Sequence, residues 1–102
     1  MIGEQEKREI ERVNKALCNH FKISLEDLNG KNISRLGTSV KSYAIYYLHT
    51  QKGMSATTLS RGYGLHRRVV FWHISKVRDY MRIYSTTRKE YEEVCATLNE
   101  KA

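Results

Sequence analysis

Thirty consecutive residues, Ser55 to Tyr84, constrain this chain more than any others: SATTLSRGYGLHRRVVFWHISKVRDYMRIY. Ser55 has the right chemistry to cap a short helix whose inward residue is Leu59. Arg61-Gly62-Tyr63-Gly64 then reads as a turn, because glycine accepts a positive φ that other residues resist. After Gly64 neither glycine nor proline occurs for twenty residues. The hexapeptide VVFWHI taken alone would suit a buried strand, but an unbroken segment of that length predicts a helix from about Leu65 to Tyr84. Val70, Ile74, Val77, Met81 and Tyr84 form its apolar stripe, with Phe71 beside it. A short helix, a glycine turn and a long helix make a helix-turn-helix over about residues 55–84.

The remainder predicts a helical scaffold within one domain of 102 residues, all-α, with about six helices, two of them short. Proline is absent throughout, which suits uninterrupted helices. From Glu4 to Phe21, Ile10, Val13, Ala16 or Leu17, and Phe21 recur at helical spacing, with Glu4–Arg8 and Glu11–Lys15 pairs outside. Ser24 with Asp27 opens a short helical turn that points Leu25 and Leu28 inward. A loop follows from Asn29 to Thr38. The stretch Ser39 to Gln51 is rich in strand-forming tyrosines, yet Val40, Ala44, Tyr47, Leu48 and Gln51 fit one helical stripe. Its tyrosines fall at core spacing rather than on an open stacking surface. The last segment, Thr86 to Lys101, carries Tyr91, Val94, Cys95 and Leu98 inward and packs back on the first helix.

Charge is distributed unevenly. Between Asn29 and Lys89 there are twelve lysines and arginines and one acid, Asp79, a local charge of +11, whereas the flanks hold six basic and ten acidic residues. A basic middle with neutralising ends fits a polyanionic partner; the bland alternative is a solvated surface. The start MIGEQEKREIERV lacks an apolar signal core and no apolar run approaches the roughly 18 residues of a membrane span, so a cytoplasmic protein is expected. Cys18 and Cys95 read as two free thiols. No cofactor or metal is expected, since Cys18 and His20 stand two apart on different sides of a helix, and His66 and His73 lack a third ligand. Catalysis is not expected either, because Asp79 has no second carboxylate near it in sequence.

As a binder of double-stranded DNA the motif offers named roles. His66, Arg67, Arg68, Val69 and the exposed part of Val70 begin the second helix and would face bases. Arginine pairs bidentately with guanine, and valine meets a thymine methyl. Lys41, Lys52, Arg61 and Lys76 would contact phosphates, and so would Ser55 with the N–H groups after it. His66 is equally an ordinary surface histidine, while His73 reads as a packing histidine. Three cations at a helix N-terminus oppose the dipole, at about 0.3–1 kcal/mol each, and an anion opposite them would offset that cost. Trp72 either fills a groove between helices or stands with Phe71 as an aromatic face for a protein partner.

The span from about Ile10 to Leu98 resembles the C-terminal DNA-binding domain of the bacterial replication initiator DnaA, a helix-turn-helix of the Trp-repressor-like group. SLEDL followed by a basic loop is similar to that family's opening helix and loop, and SYAIYYLHTQKGMSATTLSRGYG to its buttressing helix and first motif helix. YGLHRRVVFWHISKV matches the phasing of the signature F-G-G-R-D-H-T-T-V-x-H-A, with Tyr63-Gly64 on F-G and His73 on the late histidine. The resemblance implies that the positions of His66 to Val70 read DNA, though here the R-D-H-T-T code is replaced. It also implies minor-groove contact near Lys31 and Arg35, and at Ser42, which stands where the family has an arginine. No P-loop is present, so the family's ATPase module is not in this chain. The expectation is a DNA-binding module with altered or weak sequence specificity; the alternative is a protein-interaction module that kept the fold.

Overall fold

Six helices, and no strand among the described residues, build the computed structural model, which describes residues 3–29 and 35–100. The chain is all-α. α1 (Glu4–Phe21) has the predicted bounds. Its repeat buries Ile10, Val13, Ala16 and Leu17, and Glu4 meets Arg8 at 3.9 Å on the outside. Lys22 ends it in the left-handed conformation, φ 58°, which costs a residue with a side chain about 1 kcal/mol. The N–H of Ile23 then reaches back to the carbonyl of Cys18 at 3.0 Å, which satisfies one of the free carbonyls of the last turn.

α2 (Leu25–Asn29) starts as predicted, with Ser24 Oγ accepting from the Asp27 N–H at 3.1 Å. Of its two leucines, Leu28 is fully buried and Leu25 is half exposed. The expectation that both point inward is corrected. A five-residue helix makes little more than one turn and presents one inward position.

α3 (Arg35–Thr50) begins a turn earlier than the sequence suggested, so the loop ends before Arg35 rather than at Thr38. Gly37 and Thr38 read as loop residues in isolation. Packing of the α3 face overrides a propensity penalty of about 1 kcal/mol. Gln51 falls just beyond the helix and is exposed. Val40, Tyr43, Ala44, Ile45, Tyr47 and Leu48 are buried, which makes α3 the central element of the core. Its tyrosines belong to the interior and keep their hydroxyls paired: Tyr43 Oη donates to Glu90 Oε1 at 2.6 Å, and Tyr47 Oη to Asn99 Oδ1 at 3.1 Å. Burial first, then the Glu90 carboxylate, push the Tyr43 phenol far above its ordinary range.

α4 (Ala56–Tyr63), α5 (Arg67–Ile83) and α6 (Ser85–Glu100) complete the fold. α5 packs on α3, α4 and α6, and α6 returns to lie on α1 as expected, burying Tyr91, Val94 and Leu98. Arg12 joins α1 to α6 by donating to the Leu98 carbonyl at 3.2 Å while it holds Glu9 at 2.6 Å. That arginine keeps the Glu9 carboxyl below its usual value. Both cysteines are free thiols, Cys18 buried and Cys95 partly so, and burial raises both above the ordinary thiol range. Among the described residues no helix is long and apolar enough to cross a membrane.

The two leucines of α2 give a direct test of this packing. Leu28→Ala should cost about 2–5 kcal/mol by urea denaturation, as for a large-to-small change in a core. Leu25→Ala should change stability by less than about 0.5 kcal/mol, as expected of a surface substitution.

Candidate nucleic-acid interface

The helix-turn-helix is assembled from local signals. Ser55 caps α4, its Oγ accepting from the Thr58 N–H at 3.1 Å, and Leu59 anchors the helix in the core. Gly64 ends α4 at φ 65°, and its N–H returns to the Ser60 carbonyl. A side chain at position 64 would be strained by that φ, although the space around it is open. Ser60 closes the turn twice: its carbonyl accepts from the Leu65 N–H at 3.0 Å and its hydroxyl donates to the Leu65 carbonyl. Tyr63, at the end of α4, donates to Asn14 Oδ1 of α1 at 2.7 Å, so the turn is tied to the scaffold behind it.

His66 is the N-cap of α5, one residue before the helix, with Nδ1 accepting from the Arg68 N–H at 3.0 Å. Imidazole here does what serine does at Ser55. Nδ1 is committed to the backbone and the exposed ring offers Nε2 outward. Arg67 and Arg68 occupy the first turn, both exposed, with no acid beside them in that turn. Thr57, Ser60, Arg61, Leu65, His66 and Arg67 line an open concavity between α4 and the start of α5. The structure thus brings Arg61, His66 and Arg67 together, with Arg68 following. Thr57 joins them, and the sequence reading missed it. Its signal was its place one helical turn before Arg61.

Further along α5 the helical repeat divides the surface. Val70, His73, Ile74 and Val77 are buried. Arg67, Phe71, Arg78 and Arg82 run down one flank of that stripe, and Val69, Trp72, Lys76, Tyr80 and Ile83 run down the other. Arg78 and Arg82 lie 3.7 and 4.0 Å from Asp79, exposed pairs of little energetic weight. Phe71 and Trp72 are each 53% exposed and point to different flanks, so they form no single face. Trp72 fills no interhelical groove. Tyr84 also leaves the predicted stripe, because it lies past the helix end in extended backbone.

Several expected contacts are corrected. Val70 is completely buried and cannot touch a base; it is the first core residue of α5. Ser42 is 1% exposed. Its hydroxyl lies 3.0 Å from the Thr38 carbonyl and 2.6 Å from His73 Nδ1, which leaves it no route to a phosphate. Lys41 is buried too, and burial lowers its pKa, so it is a poor phosphate ligand. Lys52 lies 3.7 Å from Glu9, in a hollow lined also by Glu6, and so faces carboxylates. Lys76 stands on the Trp72 flank, its Nζ 5.1 Å from the indole centroid, apart from the Arg67 flank. Lys31 lies outside the described residues, and so does the side chain of Arg35, whose backbone opens α3. Ser55 and Arg61 stay exposed.

The Ser42–His73 contact is the polar pin between α3 and α5. Burial, then the charges of Lys41 and Lys76, depress the His73 pKa from 6.5 to about 4. No protein-family model matches this chain, and no curated protein matches it in sequence.

The histidine makes the pin sensitive to acid. In the unfolded chain His73 takes up a proton near pH 6.5, and in the native state only near pH 4. Stability from neutral His73 is complete above pH 6.5 and falls as the pH drops towards 4. Urea midpoints at pH 7.5 and 4.5 should show this loss, and the gap between them should narrow in His73→Gln.

Proposed function

We propose that this chain is a double-stranded DNA-binding module of the DnaA C-terminal-domain type, with altered or weak sequence specificity. One observation carries the reading: Arg67 and Arg68 stand exposed in the first turn of the second motif helix, beside Arg61 and the His66 cap. Among the described residues no carboxylate lies within ion-pair distance of these three arginines. Two cations at the positive end of a helix dipole cost stability, and a phosphate opposite them reverses that sign. The concavity beside them adds the Thr57 hydroxyl and the outer edge of the imidazole as hydrogen-bonding groups.

Specificity follows from what is exposed. Arg67 and Arg68 suit guanine O6 and N7 or phosphate oxygens, and Val69 suits a thymine methyl. With Val70 inside, base reading narrows to His66, Arg67, Arg68 and Val69. None of these reproduces the Asp-His-Thr-Thr chemistry of the resembled signature, so DnaA-box preference is not expected. The exposed aromatic side chains of α5 favour a second reading, a protein-interaction module that kept this fold.

Titration of the chain with random duplex and with DnaA-box duplex across a salt series separates the two. DNA binding gives a log–log slope of about −0.9 per phosphate contacted, with similar affinity for both duplexes. A flat slope leaves only the protein-interaction reading. The double variant Arg67→Ala, Arg68→Ala should weaken binding while its thermal midpoint stays level or rises, because two cations leave the helix start.

A further inference from the structure

Beyond Val69, the second flank of α5 has no role in the DNA-binding reading. Val69, Trp72, Tyr80 and Ile83 follow one another at helical spacing with Lys76 among them, and Tyr84 lies at the end. Their exposures run from 38% at Val69 to 67% at Ile83. Tyr80 and Tyr84 pack edge to face, centroids 5.6 Å apart, which orders the stripe's far end. Since a buried aromatic side chain covers about 150–250 Å2, the stripe leaves on the order of 400–500 Å2 of largely apolar surface open. That is the size of the largest patch on a typical monomer, roughly 300–600 Å2, a patch that is often functional.

We propose that this stripe is a self-association face, on which α5 packs antiparallel against α5 of a second copy. Charge complementarity selects that occupant. Lys76 interrupts the apolar run, and Asp79, the only acid between Asn29 and Lys89, sits three residues on at the stripe's outer edge. In an antiparallel pair, residues whose numbers have a constant sum face each other. A two-fold axis passing between Val77 and Arg78 sets Lys76 opposite Asp79 of the other copy, and Trp72 opposite Ile83, each twice. Lys76 therefore gains a carboxylate at the seam, and Asp79, otherwise near Arg78 and Arg82 only, gains an ammonium. The closed pair buries about 1,000 Å2 in total, the lower limit for a specific interface, so the dimer is weak.

The same axis keeps the arginine ends apart. With a rise of 1.5 Å per residue, the two Arg67 positions lie about 30 Å from each other along the helices. That is close to the roughly 34 Å at which two-fold helix-turn-helix dimers meet successive half-sites. This spacing argument alone rests on the DNA-binding reading; the apolar stripe and the Lys76–Asp79 match do not.

Sedimentation equilibrium of the full chain without DNA tests the dimer independently of DNA binding. The expected result is a monomer–dimer equilibrium in the range of about 10–500 μM, as for weak interfaces of this size. Ile83→Glu, an exposed position whose fold is checked by circular dichroism, should raise the dissociation constant at least about tenfold by placing a charge in an apolar seam. Asp79→Lys should weaken the dimer comparably, and the swapped double variant Lys76→Asp, Asp79→Lys should restore it. A wild-type chain that stays monomeric throughout that range overturns the proposal. A dimer indifferent to Ile83→Glu, or a swap that restores nothing, overturns it as well.

Discussion

Everything on the surface of α5 depends on how that helix is rotated about its own axis, and one buried contact fixes the rotation. Apolar packing of Val70, Ile74 and Val77 tolerates small slips, because dispersion is not directional. The Ser42 hydroxyl at 2.6 Å from His73 Nδ1 does not, since a hydrogen bond weakens steeply with angle. With His73 held against α3, the positions of Arg67 on one flank, of Trp72 and Ile83 on the other, and of Arg68 on the outward side between them follow from the helical repeat. The buried histidine near the middle of α5 thus acts on the interface without touching a ligand. Its low affinity for protons belongs to the same arrangement, because a charged imidazole would be buried away from water and would face Lys41 and Lys76.

Acidic side chains are used where they support the scaffold. Glu9 holds Arg12 and Lys52 on the α1 side, and Glu90 accepts from Tyr43 at the α3–α6 contact. These carboxylates come from the two ends of the chain. Among the described residues, Arg61, Arg67 and Arg68 at the turn are left without such neighbours. The charge imbalance along the sequence therefore becomes an imbalance in space, with anionic groups committed on α1 and α6 and cations open on α4 and the start of α5.

Much of this was legible from residue order. α1, the existence of α4 and α5 and the break at Gly64 follow from spacing, caps and the long stretch without breakers, because those are local rules; but α4 continues through Arg61, Gly62 and Tyr63, which read as turn, and α5 starts at Arg67 rather than Leu65. The start of α3 was not, since tertiary burial carried the helix back through Gly37 and Thr38. Nor was the fate of Ser42 and Lys41: polar residue types suggest exposure, and only the partners brought in from thirty residues away make them interior. Val70 shows the limit most plainly. Val69 and Val70 are indistinguishable by chemistry, and one helical step of 100° puts the first in solvent and the second in the core. His66 reads equally as a ligand and as a surface histidine, and only the backbone shows that its Nδ1 caps the start of α5.

The joint between α5 and α6 has a consequence for how such a chain can vary. Tyr84 alone separates the two helices, with φ −115° and ψ 121°, and Arg88 reaches back 2.6 Å to the Met81 carbonyl across it. A single inserted or deleted residue there would turn α6 by about a third of a revolution and carry Tyr91, Val94 and Leu98 out of register with α1. Substitution is cheap at this joint and change of length is not. Among relatives of this chain, the distance from His73 to Leu98 should behave as a fixed ruler, while the surface residues measured off along it are free to diverge.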